Sequence, residues 1–565
     1  MQIRTTLSFI LALTFCTLCF SQNKAELAAP FDAKTADAFF SASPNLEQSA
    51  KNFAKDAENF YSQGKLEEAS CAYFASEFLK FTNTYLSNAP KELKIFLLSN
   101  PYLLDEFFSI LAKEDNLTNV ANIIEKIWKS DSDGFKKMPT VALAIAIVFD
   151  TPAPASWPHG QVSETILPRK FPEPDVAFAS WKGYREKGRL LLPIEKLSIE
   201  EAKYLVASVS SDDDKQYAQK SISANASNIG KLYMSINYDH ARLNRKQFDW
   251  IGDDYNLKTI KENGGICTDQ SYYTTEVAKA RGLPAFIFSG AGSDGFHAWA
   301  AIMRKPNDWD FGIGRYEDAR FVTGKTLDPQ TWKEASDHSL EAMREGFRRG
   351  KKFRENEIHT IFAKKYFEAS DYANAEKCAM KAIASDKRNF ATWLLLEESL
   401  RKSNAPHKKL VLTLEAAVKS FFKYHDLDAH FRQKLMDEYT NIGNKNAARK
   451  LSTSIINKTK SARPDIAMKF ARAELEADIA TGEADKLMSS YKRLATVFKS
   501  DAAIAINSLT VPIVNALLKA EKYKETEGIM KLTRQIFLKG DKDVSLTESI
   551  ESIERQLEQI RKKNS

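Results

Sequence analysis

Two side chains thirty residues apart, Cys267 and His297, sit in surroundings that suit covalent chemistry. Cys267 follows Gly264-Gly265-Ile266 and precedes Thr268-Asp269-Gln270. The glycine pair ends whatever comes before it, and Asp269 is an acid of the kind found in a helix's first turn. The spacing therefore puts Cys267 at or just before a helix N-terminus, where the macrodipole and free N–H groups favour a thiolate, the form that attacks carbonyls. A histidine brought to that sulfur by the fold would make a nucleophile–base pair. Metal chemistry is not suggested, because beyond the apolar leader the sequence has no Cys-x-x-Cys, it has no His-x-x-x-His, and no second Cys or His lies close to this pair.

The elements that must position the pair follow from periodicity. Tyr273, Val277 and Ala280 make one apolar helical face over residues 268–281. Gly282-Leu283-Pro284 stops that helix, residues 285–288 read as a short buried strand, and residues 296–303 read as a second, carrying His297. Residues 309–313 and 320–327 complete a small antiparallel sheet. Phe311-Gly312-Ile313-Gly314-Arg315-Tyr316 lacks the strand-then-helix context of a dinucleotide motif, and no cofactor is expected. Arg315 has Glu317 and Asp318 as surface partners within reach. Tyr238 and Trp250 precede the cysteine and read as core aromatics, with an indole N–H aimed at an oxyanion as the functional alternative.

Three segments, Gly264 through Asp269, Arg281-Gly282-Leu283-Pro284-Ala285 and His297-Ala298-Trp299, resemble the transglutaminase-like superfamily. The resemblance implies a papain-like α+β core with Cys267 as nucleophile, His297 as general base and an acidic residue a few positions past a tryptophan. The position matching that acid lies near Ile313, which is not acidic. Asp310, just after Trp309, is the nearest candidate, and Asp308 and Asp328 stand as alternatives.

With 565 residues the chain exceeds a single core, and 81 basic against 74 acidic residues give a mild net charge of +7 with no basic block to recruit nucleic acid. Residues 1–21 have the form of a secretory signal peptide, with Arg4 ahead of an apolar stretch ending near Ser21. Export to the periplasm or beyond the cell is the expectation, and no later segment is apolar for long enough to span a bilayer. Cleavage leaves Cys71, Cys267 and Cys378, too few for a disulfide framework. Cys71 and Cys378 fall in small-residue helical contexts and read as packing positions.

The remaining chain is helical. Residues 22–150 read as an N-terminal tetratricopeptide-like region, its first stretch to Ser43 a loosely held lead-in and residues 140–149 a buried helix. Prolines every two to four residues make 151–195 a connector, in which His159 beside Trp157 reads as packing more readily than as part of a cleft. Residues 196–335 form the core. Residues 336–565 repeat the helical pattern to a charged terminal helix, a solenoid-like array with room for a protein partner. Hydrolysis of a peptide or isopeptide bond is the expected activity, ahead of cross-linking. The alternative is a catalytically silent module in a protein-binding scaffold.

Overall fold

A computed structural model describes residues 31–292, 295–316, 323–337 and 339–538, with 547, 550, 551 and 553–555 near the C-terminus. The expected signal peptide lies outside the described residues, as does most of the expected terminal helix. The chain is mostly helical with one small five-stranded antiparallel sheet, an α+β protein. It divides into two compact units. One holds Met1–Ser289, His297–Arg315 and Lys325–Ser403; the other holds Gly290–Phe296, Tyr316–Gly324 and Asn404–Ser565. Among the described residues no helix is long and apolar enough to cross a membrane.

In the first unit the segment expected as a lead-in forms a helix, Ala33–Ser41, because Asp32 and Thr35 close a capping box at its start. Leu46–Ser62 and Leu66–Tyr85 then form an antiparallel pair. A second repeat-like pair, Lys351–Glu368 and Tyr372–Ser385, packs on the first. Tyr61 stacks on Phe362 with ring centroids 4.0 Å apart, and its hydroxyl meets His359 Nδ1 at 2.8 Å. Arg354 reaches Glu67 at 2.9 Å and also bonds the buried Asp105. The helices up to Ser403 thus close over the N-terminal ones, whereas those from Asn404 onward belong to the second unit. Pro139–Val148 is buried along its length from Val141, as its unbroken apolar run requires.

The sheet has the order β3-β2-β1-β4-β5, with β1 at Ala285–Gly292, β2 at Gly295–Lys305, β3 at Asp308–Ile313, β4 at Lys325–Leu327 and β5 at Glu334–Ser336. Period-2 alternation sorts its side chains onto two covered faces. Phe286, Phe288, Trp299, Ala301, Met303, Trp309 and Phe311 join the core of the N-terminal helices. Ala285, Ala300, Ile302 and Ile313 face a separate core that contains Tyr272, Tyr273, Val277 and Ala280 of the helix Cys267–Ala280. That helix is buried at every position. The expected connector is not all irregular: Pro174–Glu186 forms a helix that buries Ala177, Phe178, Trp181 and Tyr184, and the stretch before it buries Trp157, Val162 and Leu167. Arg169 holds that stretch in shape by donating to the carbonyls of His159 and Val162, both at 2.9 Å, and of Ala155 at 3.2 Å.

Candidate functional site

Cys267 is the first residue of its helix. The turn that delivers it needs Gly264, whose φ of +76° suits glycine and whose absent Cβ would lie 2.4 Å from the Asn237 carbonyl oxygen. Gly265 then donates to that same carbonyl at 2.9 Å. Asp269, two residues past the cysteine, is fully buried and holds the turn from inside. Its carboxylate accepts from the Ile266 amide at 2.8 Å, the Tyr255 hydroxyl at 2.9 Å and the Arg242 guanidinium at 2.7 Å. Burial pushes the Asp269 carboxyl above its usual range, and Arg242 with the two other donors pulls it back part of the way.

The hydrogens in this network can be placed. Tyr255 gives its one proton to Asp269, so His159 Nε2, 3.1 Å away, must donate to the tyrosine oxygen. His159 Nδ1 then accepts from the Gln161 amide at 3.4 Å. The ring is neutral, since burial, with Arg169 and Arg242 nearby, lowers its pKa to about 3. His159 packs edge-on against Tyr255 and Tyr272, as the packing reading expects, and its hydrogen bond also ties the connector to the turn that presents Cys267. Proline punctuation marked the connector, but only the fold shows what its histidine touches.

The sulfur itself is buried. Burial raises the thiol pKa above its ordinary value, although the Ala298 amide and the hydroxyl and amide of Thr268 donate toward the sulfur and oppose the shift. The thiolate expected from the helix dipole is outweighed, and the resting group is a thiol. The Ala298 contact brings β2 against the helix start. Tyr233 reinforces that junction, donating to the Ala298 carbonyl at 2.7 Å and lying 3.4 Å from the Cys267 carbonyl oxygen. No sequence motif marked Tyr233 for this role.

His297 sits beside Ala298 and is buried. Its ring shares the face of Trp299, with centroids 6.0 Å apart, and its Nε2 meets the Gly314 carbonyl oxygen at 2.8 Å. A carbonyl can only accept, so Nε2 carries the proton and Nδ1 is the basic nitrogen of the neutral ring. Gly314 has φ +78°, and a Cβ there would lie 2.4 Å from the Tyr233 ring. The glycine that ends β3 thus serves both the imidazole and the tyrosine at the junction.

The acidic candidates are engaged elsewhere. Asp310 pairs with Ile302 in the β2–β3 register, five residues along the strand from His297, or about 16 Å at roughly 3.3 Å per residue. It bonds Arg304 and accepts from the Gly312 amide at 2.9 Å, so the structure does not bring it to the imidazole. Asp308 lies 3.6 Å from Lys305. Asp328 pairs with the buried Lys203 at 2.6 Å; burial raises its pKa, but Lys203 and the turn amides bring it below the ordinary carboxylate range.

Arg315 is partly buried, ion-paired with Asp337 at 2.5 Å and stacked 4.5 Å over the Trp299 ring. Glu317 and Asp318 lie outside the described residues. Trp250 packs against the core beside Tyr255, and its indole N–H, the functional alternative, donates to the Asp254 carbonyl at 2.8 Å. Cys71, Cys267 and Cys378 are all unpaired. Among the described residues no cluster of three or more His, Cys, Asp or Glu side chains is disposed to hold a metal ion.

No family model, curated protein or solved structure matches the chain.

Proposed function

We propose that the chain is a cysteine-dependent acyl-transfer enzyme of the transglutaminase-like kind, exported after removal of its leader, that hydrolyses peptide or isopeptide bonds in preference to cross-linking them. The observation that carries this reading is the junction at the helix start, where the Tyr233 hydroxyl donates to the carbonyl of Ala298, next to His297, at 2.7 Å and lies 3.4 Å from the Cys267 carbonyl oxygen. In the reaction His297 Nδ1 takes the thiol proton as sulfur attacks the amide carbonyl, and backbone N–H groups at the helix start hold the oxyanion. The imidazolium then gives its proton to the departing amine, leaving a thioester. Water, deprotonated by the same nitrogen, attacks the thioester and restores the thiol. The Gly314 carbonyl holds the ring where a carboxylate ordinarily would, orienting it without offering a counter-charge. A protein partner on the helical surface would bring the substrate to this site.

The buried thiol, and the pairing of Asp308, Asp310 and Asp328 with Lys305, Arg304 and Lys203, favour a second reading, a silent module within a binding scaffold. A peptidyl acyloxymethyl ketone separates the two, with the modified cysteine mapped by mass spectrometry because Cys71 and Cys378 are also free thiols. The enzyme reading expects stoichiometric labelling at Cys267, abolished in C267A and slowed at least ~100-fold in H297A, the usual scale of general-base assistance. Labelling of H297A at the wild-type rate establishes the silent module.

A further inference from the structure

A cavity of about 390 Å³ opens beside the helix Pro174–Glu186, away from the cysteine. It reaches the range of small-molecule sites, and much of its wall is aromatic, from Phe149, Phe171, Trp181 and Tyr184. Phe149 and Phe171 stack at 4.3 Å, so that part of the wall is already braced. Ser208 and Ser210 also line it, and both donate to Glu276 on the Cys267 helix. Glu276 lies nine residues along from the cysteine, about 13 Å at roughly 1.5 Å per residue, which makes this a separate site.

The charges of the cavity are unevenly satisfied. Its two acids have partners: Glu173 pairs with Lys126 at 2.5 Å, and Asp212 accepts from the Tyr184 hydroxyl and from Gln216 at 3.1 Å. Its two cations, Lys215 and Lys170, make no hydrogen bond or ion pair among the described residues. Lys170 is exposed at the mouth, whereas Lys215 is half-buried, and burial lowers its pKa despite the attraction of Glu276, Asp212 and Asp214. Each of those acids is already bonded to other groups: Glu276 to Ser210 at 2.8 Å and Lys279 at 2.7 Å, and Asp214 to the Leu257 amide at 2.8 Å. A half-buried ammonium at a cavity wall without a protein acceptor is a group that a bound anion can engage.

We propose that this cavity binds a small carboxylate bearing an aromatic group, the carboxylate meeting Lys215 and the ring lying against Phe171 and Trp181. The same chemistry is offered by a free aromatic acid and by the C-terminal residue of a peptide. The test is calorimetric titration of the full chain with N-acetyl-L-phenylalanine, N-acetyl-L-phenylalaninamide and 3-phenylpropanoate. The acids are expected to bind saturably and the neutral amide at least ~10-fold more weakly. In K215M the acid should lose at least ~10-fold and fall to the level of the amide. Tighter binding of the acetylated amino acid than of 3-phenylpropanoate assigns the site to peptide ends, and equal binding assigns it to free acids. Equal titration of acid and amide by the wild-type chain, or no saturable binding, overturns the proposal; that comparison stands even if K215M does not fold. Unchanged acid binding in a folded K215M also overturns it.

Discussion

Replacing Asp269 by alanine should loosen the start of the Cys267 helix more than any other single change at the site. Three donors converge on this carboxylate: the Ile266 amide, the Tyr255 hydroxyl and Arg242. Arg242 is only 2% exposed, so removing its partner strands a charge that water cannot reach. Breaking a buried pair from one side costs about 3–5 kcal/mol, and losing the cap adds about 1 kcal/mol that is not fully additive. Taking about 3 kcal/mol as the lower figure, and about 1.4 kcal/mol per tenfold, amide exchange over residues 267–280 should speed by at least ~100-fold.

R242M supplies the control. It leaves a buried carboxyl whose pKa burial has already raised, so that side can protonate and lose less. The double variant R242M/D269A should therefore be more stable than the sum of the single losses implies, with a coupling of about 1–3 kcal/mol. Exchange in D269A within threefold of wild type, or strictly additive losses, would refute the assignment of Asp269 as the hub of this turn.

The burial of the sulfur sets a second expectation. Iodoacetamide labelling of Cys267 should be slow at pH 7, since even an ordinary thiol near ~8.5 is only about 3% thiolate there, and should rise close to tenfold per pH unit past pH 8. T268V, which removes the hydroxyl that donates to the sulfur, should slow it further; a rate that levels off below pH 7 contradicts the raised pKa. G314A forces both an unfavourable φ and a clash with Tyr233, and should lower stability by on the order of 2–3 kcal/mol in thermal unfolding. A loss under about 0.5 kcal/mol would mean that the Tyr233 contact is not rigid. Glu106 is buried against the Ile199 amide, and burial raises its pKa to about 8. A carboxyl raised in the folded state adds stability that is complete below its unfolded value of about 4.3 and is lost as pH climbs through 8. E106Q should therefore match wild type near pH 5 and exceed its thermal midpoint at pH 8.5, and parallel pH curves for the two proteins would be inconsistent with that burial.

Much of the positioning scaffold was legible because periodicity and punctuation report local structure. Gly264-Gly265 and Gly282-Leu283-Pro284 bracket a helix that runs Cys267–Ala280, and the apolar runs after it became β1 and β2. The unbroken apolar stretch near residue 143 became a buried helix for the same reason. What could not be read depends on contacts distant in sequence. Arg315 pairs with Asp337, twenty-two residues on, a partner that no local pattern names. The pairing of helices 46–85 with 351–385 likewise rests on Tyr61, Phe362 and Arg354, which no local pattern joins.

The thiol shows how a correct local reading can still mislead about chemistry. A helix N-terminus favours an anion by about 0.3–1 kcal/mol at an exposed site and about 2 kcal/mol at best, less than one to one and a half pKa units. Enclosing a thiol at the start of a fully buried helix works against the anion by more, and the direction of the Cys267 shift records which effect wins. The same enclosure bears on the group that orients the imidazole. A search by residue type can find only side chains, and it offered Asp310, Asp308 and Asp328; the partner of His297 Nε2 is a backbone carbonyl at a glycine. A carbonyl there fixes the tautomer and the ring plane, a role that a search for acidic side chains does not find. The resting group at the helix start is a thiol. On the proposed mechanism, proton transfer would accompany attack instead of preceding it, which would tie turnover to a substrate carbonyl already in place.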